Sequence, residues 1–107
     1  SGEAADLDRV RMLAMSVAVE PSSQAAEKAR AQLKKAGKSS KAKVLQKALT
    51  DLGFNPGPVD GKPGRKTREA IAEFFEASER KPVQGDEVLI SLIKHQWEQA
   101  RPRYDLF

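Results

Sequence analysis

Apolar residues in the second half of the chain recur with the same spacing three times. In each set, two adjacent positions are followed four residues later by a second pair, and the spacing then continues for another turn. This spacing places the side chains on one face of an α-helix. The sets are Val44, Leu45, Ala48, Leu49 and Leu52; Ala70, Ile71, Phe74, Phe75 and Ser78; and Val88, Leu89, Leu92, Ile93, Gln96 and Trp97. Because each apolar face must be covered, we predict three helices that pack on one another.

Each of these faces is preceded by a residue type that commonly begins a helix. Ser39 or Ser40 stands before the first face, Thr67 before the second and Asp86 before the third. Their side-chain oxygens can accept hydrogen bonds from the N–H groups of a first helical turn. No stretch of four or more residues alternates as a half-buried strand does. The predicted fold class is all-α, with a small three-helix bundle.

Two more helices are predicted before this bundle. An apolar stripe that includes Leu7 and Val10 indicates a first helix over residues 3–18. Ser22 or Ser23 can cap a second helix that runs to about Ala36. Its stripe is mostly alanine and buries little area, so we expect it to be lightly docked or to serve as a linker. The glycine that follows, Gly37, is expected to stop it as a C-terminal cap.

The pattern divides the chain into three parts. A length of 107 residues allows one domain, or one domain with an arm. We assign residues 1–38 to an N-terminal helical extension or linker, residues 39–100 to the bundle and residues 101–107 to a C-terminal tail. Pro102 prevents the last helix from continuing into the tail. The apolar tail residues are expected to fold back onto a helix or to bind a partner: Tyr104, Leu106 and Phe107.

A loop rich in glycine and proline separates the first two faces. Residues 52–67 contain four Gly and three Pro, so backbone chemistry determines the shape of the loop. Gly53 can end the preceding helix in the left-handed conformation, with Phe54 folded beneath that end. In the turn Asp60-Gly61, the carboxylate can accept N–H groups two residues on, and the glycine supplies positive φ. At several positions we favour a purely structural role over ligand contact: Gly53, Asp60, Gly61, Gly64, which permits close backbone approach, and Thr67, which caps the next helix.

Together, this loop and its flanking faces resemble the bacterial peptidoglycan-binding domain family. The resemblance runs from Val44, through Gln46 and the sequence Gly-Pro-Val-Asp-Gly at residues 57–61, to Phe74. Beyond that point the chain departs from the family, whose Phe-Gln pair is Phe74-Phe75 here. The family's second turn and helix cap are reduced to Val-Gln-Gly-Asp at residues 83–86. The resemblance implies a three-helix module that binds the glycan and peptide mesh of the cell wall.

Two functions are compatible with this resemblance. The first is a non-catalytic peptidoglycan-binding module that anchors a larger bacterial envelope protein, in the periplasm or elsewhere outside the cytoplasm. Its partners would be peptidoglycan and, in addition, another envelope protein or other domains of its own parent chain. The alternative is a protein-interaction scaffold that keeps the fold but has lost affinity for the wall. The degenerate second half of the pattern favours this alternative.

If the module binds the wall, we expect a shallow groove beside the loop. There Asn55 and Asp60 can form hydrogen bonds with sugar or peptide groups. Three cations, Lys62, Arg65 and Arg68, can meet the carboxylates of the stem peptide and the lactyl ether. On general grounds, ordinary solvent-exposed surface is the favoured interpretation of these charged residues, and ligand contact is the alternative.

The net charge of +4 is unevenly distributed. From Lys28 to Thr50 there are eight Lys or Arg residues and no acid. A solvated helix face is the favoured interpretation, and attraction to an anionic polymer is the alternative. The block lacks interleaved aromatic residues, so we predict no nucleic-acid partner. The apolar run Met12–Val19 is too short to span a bilayer, which needs about 20 residues. We therefore predict no membrane insertion.

The residues that commonly carry catalysis are scarce. The chain has no cysteine and a single histidine, His95, which we expect on the solvent side of the last helix. Glu69, Glu73 and Glu76 share one helix face, with Arg80 four residues further on, and this pattern is typical of a solvated, ion-paired surface. A zinc site needs more than one suitable ligand. We predict no enzyme activity, no metal and no cofactor.

Overall fold

The computed structural model describes residues 2–100, with side chains described from Asp6 onward, and this part of the chain is entirely helices and loops. The all-α prediction is therefore confirmed. The predicted tail, with Tyr104, Leu106 and Phe107, lies outside the described residues. The helices are α1 Gly2–Val19, α2 Gln24–Lys35, α3 Lys38–Asp51, α4 Arg65–Ala77 and α5 Asp86–Ala100.

The three predicted apolar faces meet in one core. Leu49 of α3, Phe74 of α4 and Leu92 of α5 are all completely buried members of the same cluster. Phe74 also contacts three rings, with centroid distances of 6.1 Å to Phe54, 5.2 Å to Phe75 and 5.3 Å to His95. This residue therefore joins the loop, α4 and α5 at the centre of the molecule, as its place in the pattern predicts.

The N-terminal helices belong to the same core. Helix α1 lies against α2, α3 and α5, and its residues Val10, Ala14 and Val17 are buried with Leu33 of α2. The expectation that α2 is lightly docked or serves as a linker is therefore wrong. The alanines at its contact face are small enough to let the two helices approach closely, and Ala26 is itself fully buried. The layout of a bundle plus an arm is not confirmed, and the boundary between residues 38 and 39 stays a proposal.

Some helix ends lie where the sequence placed them. Ser23 is the N-cap of α2, and its hydroxyl oxygen accepts a hydrogen bond from the N–H of Ala26 at 3.1 Å. Asp86 is the first residue of α5. It also accepts a hydrogen bond from Lys41 Nζ at 2.8 Å, and this ion pair connects α3 to the start of α5.

The junction between α2 and α3 differs from the prediction. Gly37 has φ −63° and is the N-cap of α3, whereas Ala36 is the C-cap of α2. Since α3 begins at Lys38, the serines Ser39 and Ser40 lie inside its first turn, and neither caps it. The two helices follow each other so closely that no residue is left for a left-handed terminator or a separate serine cap.

The buried position of α2 predicts that it contributes to stability. Leu33 is 0% exposed, so Leu33→Ala should lower the free energy of unfolding by about 2–5 kcal/mol, the usual cost of a cavity of this size. The measurement is urea denaturation followed by circular dichroism. Met12→Ala is the control, because Met12 is 66% exposed. An unchanged stability for Leu33→Ala would show that α2 is dispensable for the fold.

Candidate binding site

The loop between α3 and α4 begins with the predicted left-handed glycine. Gly53 has φ +93°, and the next residue donates its N–H to the carbonyl of Leu49 at 2.9 Å. That residue, Phe54, is partly buried against the core and its ring meets Phe74 edge-on. The helix end and the aromatic contact together fix the direction in which the loop leaves α3.

The loop is held in place by the side chain of one buried glutamine. Gln46 of α3 is 1% exposed. Its Oε1 accepts hydrogen bonds from the backbone N–H groups of Asp60 at 3.1 Å and Gly61 at 3.0 Å. Its Nε2 donates to the carbonyl of Lys62 at 3.3 Å and to Thr67 Oγ1 at 3.2 Å. One amide group therefore satisfies polar groups of the turn and of the next helix at the same time.

Thr67 has a different role from the predicted one. Helix α4 begins at Arg65 after the N-cap Gly64, so the prediction that Thr67 caps it is wrong. Thr67 is buried instead, and its hydroxyl donates to the carbonyl of Pro56 at 2.8 Å. As the third residue of α4, Thr67 can face the loop, and its hydrogen bond to Pro56 connects the first half of the loop to α4.

The Asp60-Gly61 turn has the predicted geometry. The carboxylate of Asp60 accepts the N–H of Lys62 at 2.9 Å, and Gly61 has φ +79°. This backbone hydrogen bond, with the contact from Gln46, lowers the pKa of the Asp60 carboxyl below its usual value despite some opposing desolvation. Asp60 is therefore an anion whose position is set by the turn.

The other predicted ligand residues lie on the outer surface of the loop and of α4. Asn55 Oδ1 accepts the N–H of Gly57 at 3.3 Å, which closes a local turn. Arg65 Nε lies 3.0 Å from Glu69 Oε1, and both side chains are well exposed, at 87% and 59%. Lys62 and Arg68 are also exposed. None of the five predicted residues lines the four principal cavities in the described part of the chain.

Part of the basic block is neutralised within the fold. Arg30 of α2 lies 3.6 Å from Glu87, and Lys41 pairs with Asp86, so both cations contact the start of α5. Lys47 lies 3.8 Å from Asp51 on α3. These ion pairs favour the interpretation that the basic block is ion-paired helix surface. They count against the alternative, in which the block attracts an anionic polymer.

His95 is not on the solvent side as expected. It is half-buried, with its ring edge-on to Phe74. Burial lowers the pKa of His95, and the nearby Arg80 lowers it further. Arg80 pairs with Glu98 at 2.8 Å rather than with the glutamates of α4, because it follows the end of that helix and turns toward α5.

The described residues also bear on metal binding and on membrane insertion. Within residues 2–100, no group of three or more His, Asp or Glu side chains is arranged to hold a metal ion. No helix in this region combines the length and apolar character needed to cross a membrane.

Comparison with known proteins agrees with the resemblance. The family model described as "Putative peptidoglycan binding domain" matches residues 38–74, which confirms the resemblance over that segment. The matched segment covers α3, the whole loop and most of α4, so it contains Gln46, Asp60, Gly61 and Thr67. No curated protein and no solved structure gave a match to the chain.

Two glycines of the loop provide a matched test of its geometry. Gly61 has φ +79°, and a Cβ there would lie 2.5 Å from Ser39 Oγ and 3.0 Å from the Ser39 carbonyl oxygen. Gly61→Ala should therefore cost at least about 1 kcal/mol of unfolding free energy, since left-handed φ alone carries that penalty. Gly64 has φ −113° and open space around its Cβ position, so the prediction of a close backbone approach there is wrong.

Gly64→Ser is the control in the same loop and should not lower the urea midpoint, because Gly64 is the N-cap of α4 and serine is a favoured N-cap residue. Equal midpoints for the two variants would contradict the left-handed turn at Gly61.

The glutamine network predicts a second effect on stability. Gln46→Leu keeps a side chain of similar size but removes the acceptor for the N–H groups of Asp60 and Gly61. The buried N–H of Gly61 is then left unpaired, whereas the N–H of Asp60 keeps a second acceptor, the carbonyl of Pro58 at 3.0 Å. We therefore expect a cost of about 1–3 kcal/mol of unfolding free energy, measured by urea denaturation. Gln24→Leu, at an exposed position in α2, is the control. A stable Gln46→Leu variant with native amide exchange in the loop would show that the turn holds itself.

Proposed function

We propose that this chain is a non-catalytic module that binds peptidoglycan and anchors a larger bacterial envelope protein to the wall. The observation that supports it most strongly is the coincidence of the family match with the loop architecture. The matched residues 38–74 contain both the glycine- and proline-rich loop and the buried amide that holds it. A segment that keeps this arrangement also keeps the rigid surface on which binding would depend.

Rigidity is the physical basis of the proposed binding. The backbone of the turn is fixed by Gln46, by the Asp60 carboxylate and by positive φ at Gly61. A surface ordered before it meets its ligand loses little conformational entropy on binding. Polar groups carried by this loop therefore need few contacts to give measurable affinity for a repetitive polymer.

The exposed groups of the loop suit a ligand with hydroxyls and carboxylates. Asn55 and Asp60 present amide and carboxylate groups at the loop surface, and Lys62 contributes an exposed cation. Arg65 and Arg68 extend the positive charge along α4, although Arg65 also contacts Glu69. Cations of this kind form strong hydrogen bonds with carboxylates, which peptidoglycan carries on its peptides.

The non-catalytic part of the proposal rests on the position of the titratable groups. His95 packs against Phe74, with a pKa lowered by burial. Glu73 and Glu76 are exposed on α4 rather than paired across a cleft. Glycoside hydrolysis needs two carboxyl groups about 5–10 Å apart on either side of the bond that is cut.

A wall-binding role also implies a location in the envelope, outside the cytoplasm.

A protein-interaction scaffold without wall affinity is the second candidate. It is favoured by the end of the family match at Phe74, which leaves α5 outside the matched segment. The same binding experiment separates the two candidates, because a scaffold of this kind would not sediment with the wall.

The test is co-sedimentation of the pure protein with insoluble peptidoglycan at several salt concentrations. We expect binding that persists at moderate salt, where attraction between exposed charges is largely screened beyond about 8–10 Å. The double variant Lys62→Ala with Arg65→Ala should weaken it, because both cations lie on the loop surface. No release of soluble fragments from the wall is expected.

The matched control is Lys34→Ala with Lys35→Ala on α2, which removes the same charge from a different exposed surface. Circular dichroism should show native helix content in both variants. Loss of binding in the control alone would contradict the loop site and indicate diffuse ionic attachment. Absence of wild-type binding at any salt concentration would overturn the proposed function.

A further inference from the structure

A cleft separate from the predicted loop site lies between α1, α3 and α5. Its volume is about 220 Å³. The aliphatic part of its lining comes from all three helices and from the loop: Leu7, Val44, Ala48, Val59 and Ile93. Val59 is 46% exposed, so part of this apolar surface faces solvent at the mouth of the cleft.

The cleft continues into a second cavity of about 400 Å³ at the C-terminal end of α1. The two share Arg11, Asp51 and Gln96, and the second adds Met15 and Leu52. We call the two together the α1 groove. Its α1 wall runs from Leu7 to Met15, which corresponds to about 12 Å at about 1.5 Å per helical residue. A peptide of about four extended residues, at about 3.3 Å each, has this length.

Charges of both signs line the rim of the α1 groove. Arg11 and Lys47 contribute positive charge, and Asp8 and Asp51 contribute negative charge. The pair Lys47–Asp51 has a separation of 3.8 Å, with side chains 68% and 44% exposed. Exposed pairs with such geometry are weak, so a ligand carboxylate or ammonium group can replace either partner at little cost.

We propose that the α1 groove binds the short stem peptides of peptidoglycan, an inference that rests on the proposed wall-binding function. A stem peptide is an extended chain of four or five residues with small methyl side chains, free carboxylates and, at its diamino residue, an ammonium group. The methyl groups match the aliphatic lining. The carboxylates match Arg11 and Lys47, and the ammonium group matches Asp8 or Asp51.

The composition of the groove favours peptide over glycan. Sugar rings present hydroxyl groups around most of their edge, and burying those groups against aliphatic side chains leaves them without hydrogen bonds. The loop surface carries polar groups and suits sugars better. Leu7, Asp8 and Arg11 lie in α1, outside the matched segment 38–74, so this groove is assembled with residues that the family match does not include.

The direct test uses the tetrapeptide alanyl-γ-glutamyl-diaminopimelyl-alanine as the probe. It would be titrated into the full isotope-labelled chain and followed by NMR. We expect saturable shifts at Val44, Ala48 and Ile93. Val59→Arg should weaken binding by about tenfold, the effect of losing about 1.4 kcal/mol. Val83→Arg is the matched control, since Val83 is an exposed valine that lines neither cavity of the groove.

Walls stripped of their peptides by an amidase separate this inference from the proposed function. Wild-type protein should sediment with intact walls much more than with stripped walls, and Val59→Arg should reduce this difference whereas Val83→Arg should keep it. Equal sedimentation with both would overturn the peptide groove and leave wall binding intact. Absence of binding to intact walls would overturn the proposed function itself.

Other occupants of the groove give distinct results, and each would overturn the proposal. Nuclear Overhauser contacts between Val59 and residues 101–107 in the free protein would assign the groove to the chain's own terminal segment. A dimer that dissociates on Val59→Arg would assign it to a second copy. Peptide-induced shifts confined to the loop around Asn55 and Lys62 would place the peptide at the loop site.

Discussion

The hydrogen bonds of Gln46 are the constraint on which the loop between α3 and α4 depends. A loop with so many glycine and proline residues forms few backbone hydrogen bonds of its own, and polar groups in the interior must be paired. The buried amide accepts from two successive N–H groups of the turn and donates to Lys62 O and Thr67 Oγ1. Thr67 extends the same network to Pro56. The side of the loop that faces α3 is therefore held by hydrogen bonds, and the opposite side is exposed to solvent.

Helical periodicity was sufficient to predict much of the fold. The faces around Leu49, Phe74 and Leu92 were identified because large apolar residues at helical spacing have to be buried, and all three are. The role of α2 was underestimated because alanine contributes little area to a stripe. Small side chains nevertheless allow close helix packing, and Leu33 and Ala26 are completely buried. Burial depends on the neighbouring helix, which the sequence of α2 alone does not specify.

The geometry of the candidate binding surface was predictable only in part. The turn at Asp60-Gly61 was predicted because positive φ and a carboxylate acceptor are local properties of that dipeptide. Periodicity did not reveal the role of Gln46, because a polar residue within a helix says nothing about which distant N–H groups it will meet. The only sequence feature that singled out Gln46 was its position next to Leu45 in the family pattern. No feature of the sequence indicated the α1 groove, because the groove arises from the packing of α1 against α3 and α5.

The loop and the α1 groove are physically connected through α3 and Val59. Gln46 of α3 faces the loop, to which its side chain is hydrogen-bonded, whereas Val44 and Ala48 of the same helix line the groove. Val59 stands at the groove mouth and is followed directly by Asp60, whose N–H is held by Gln46. The network that orders the turn therefore also positions one wall of the groove. On the proposed function, a glycan chain with peptide branches at regular intervals would offer ligands to both surfaces at once. Binding at two preset surfaces would then raise affinity without new contacts at either.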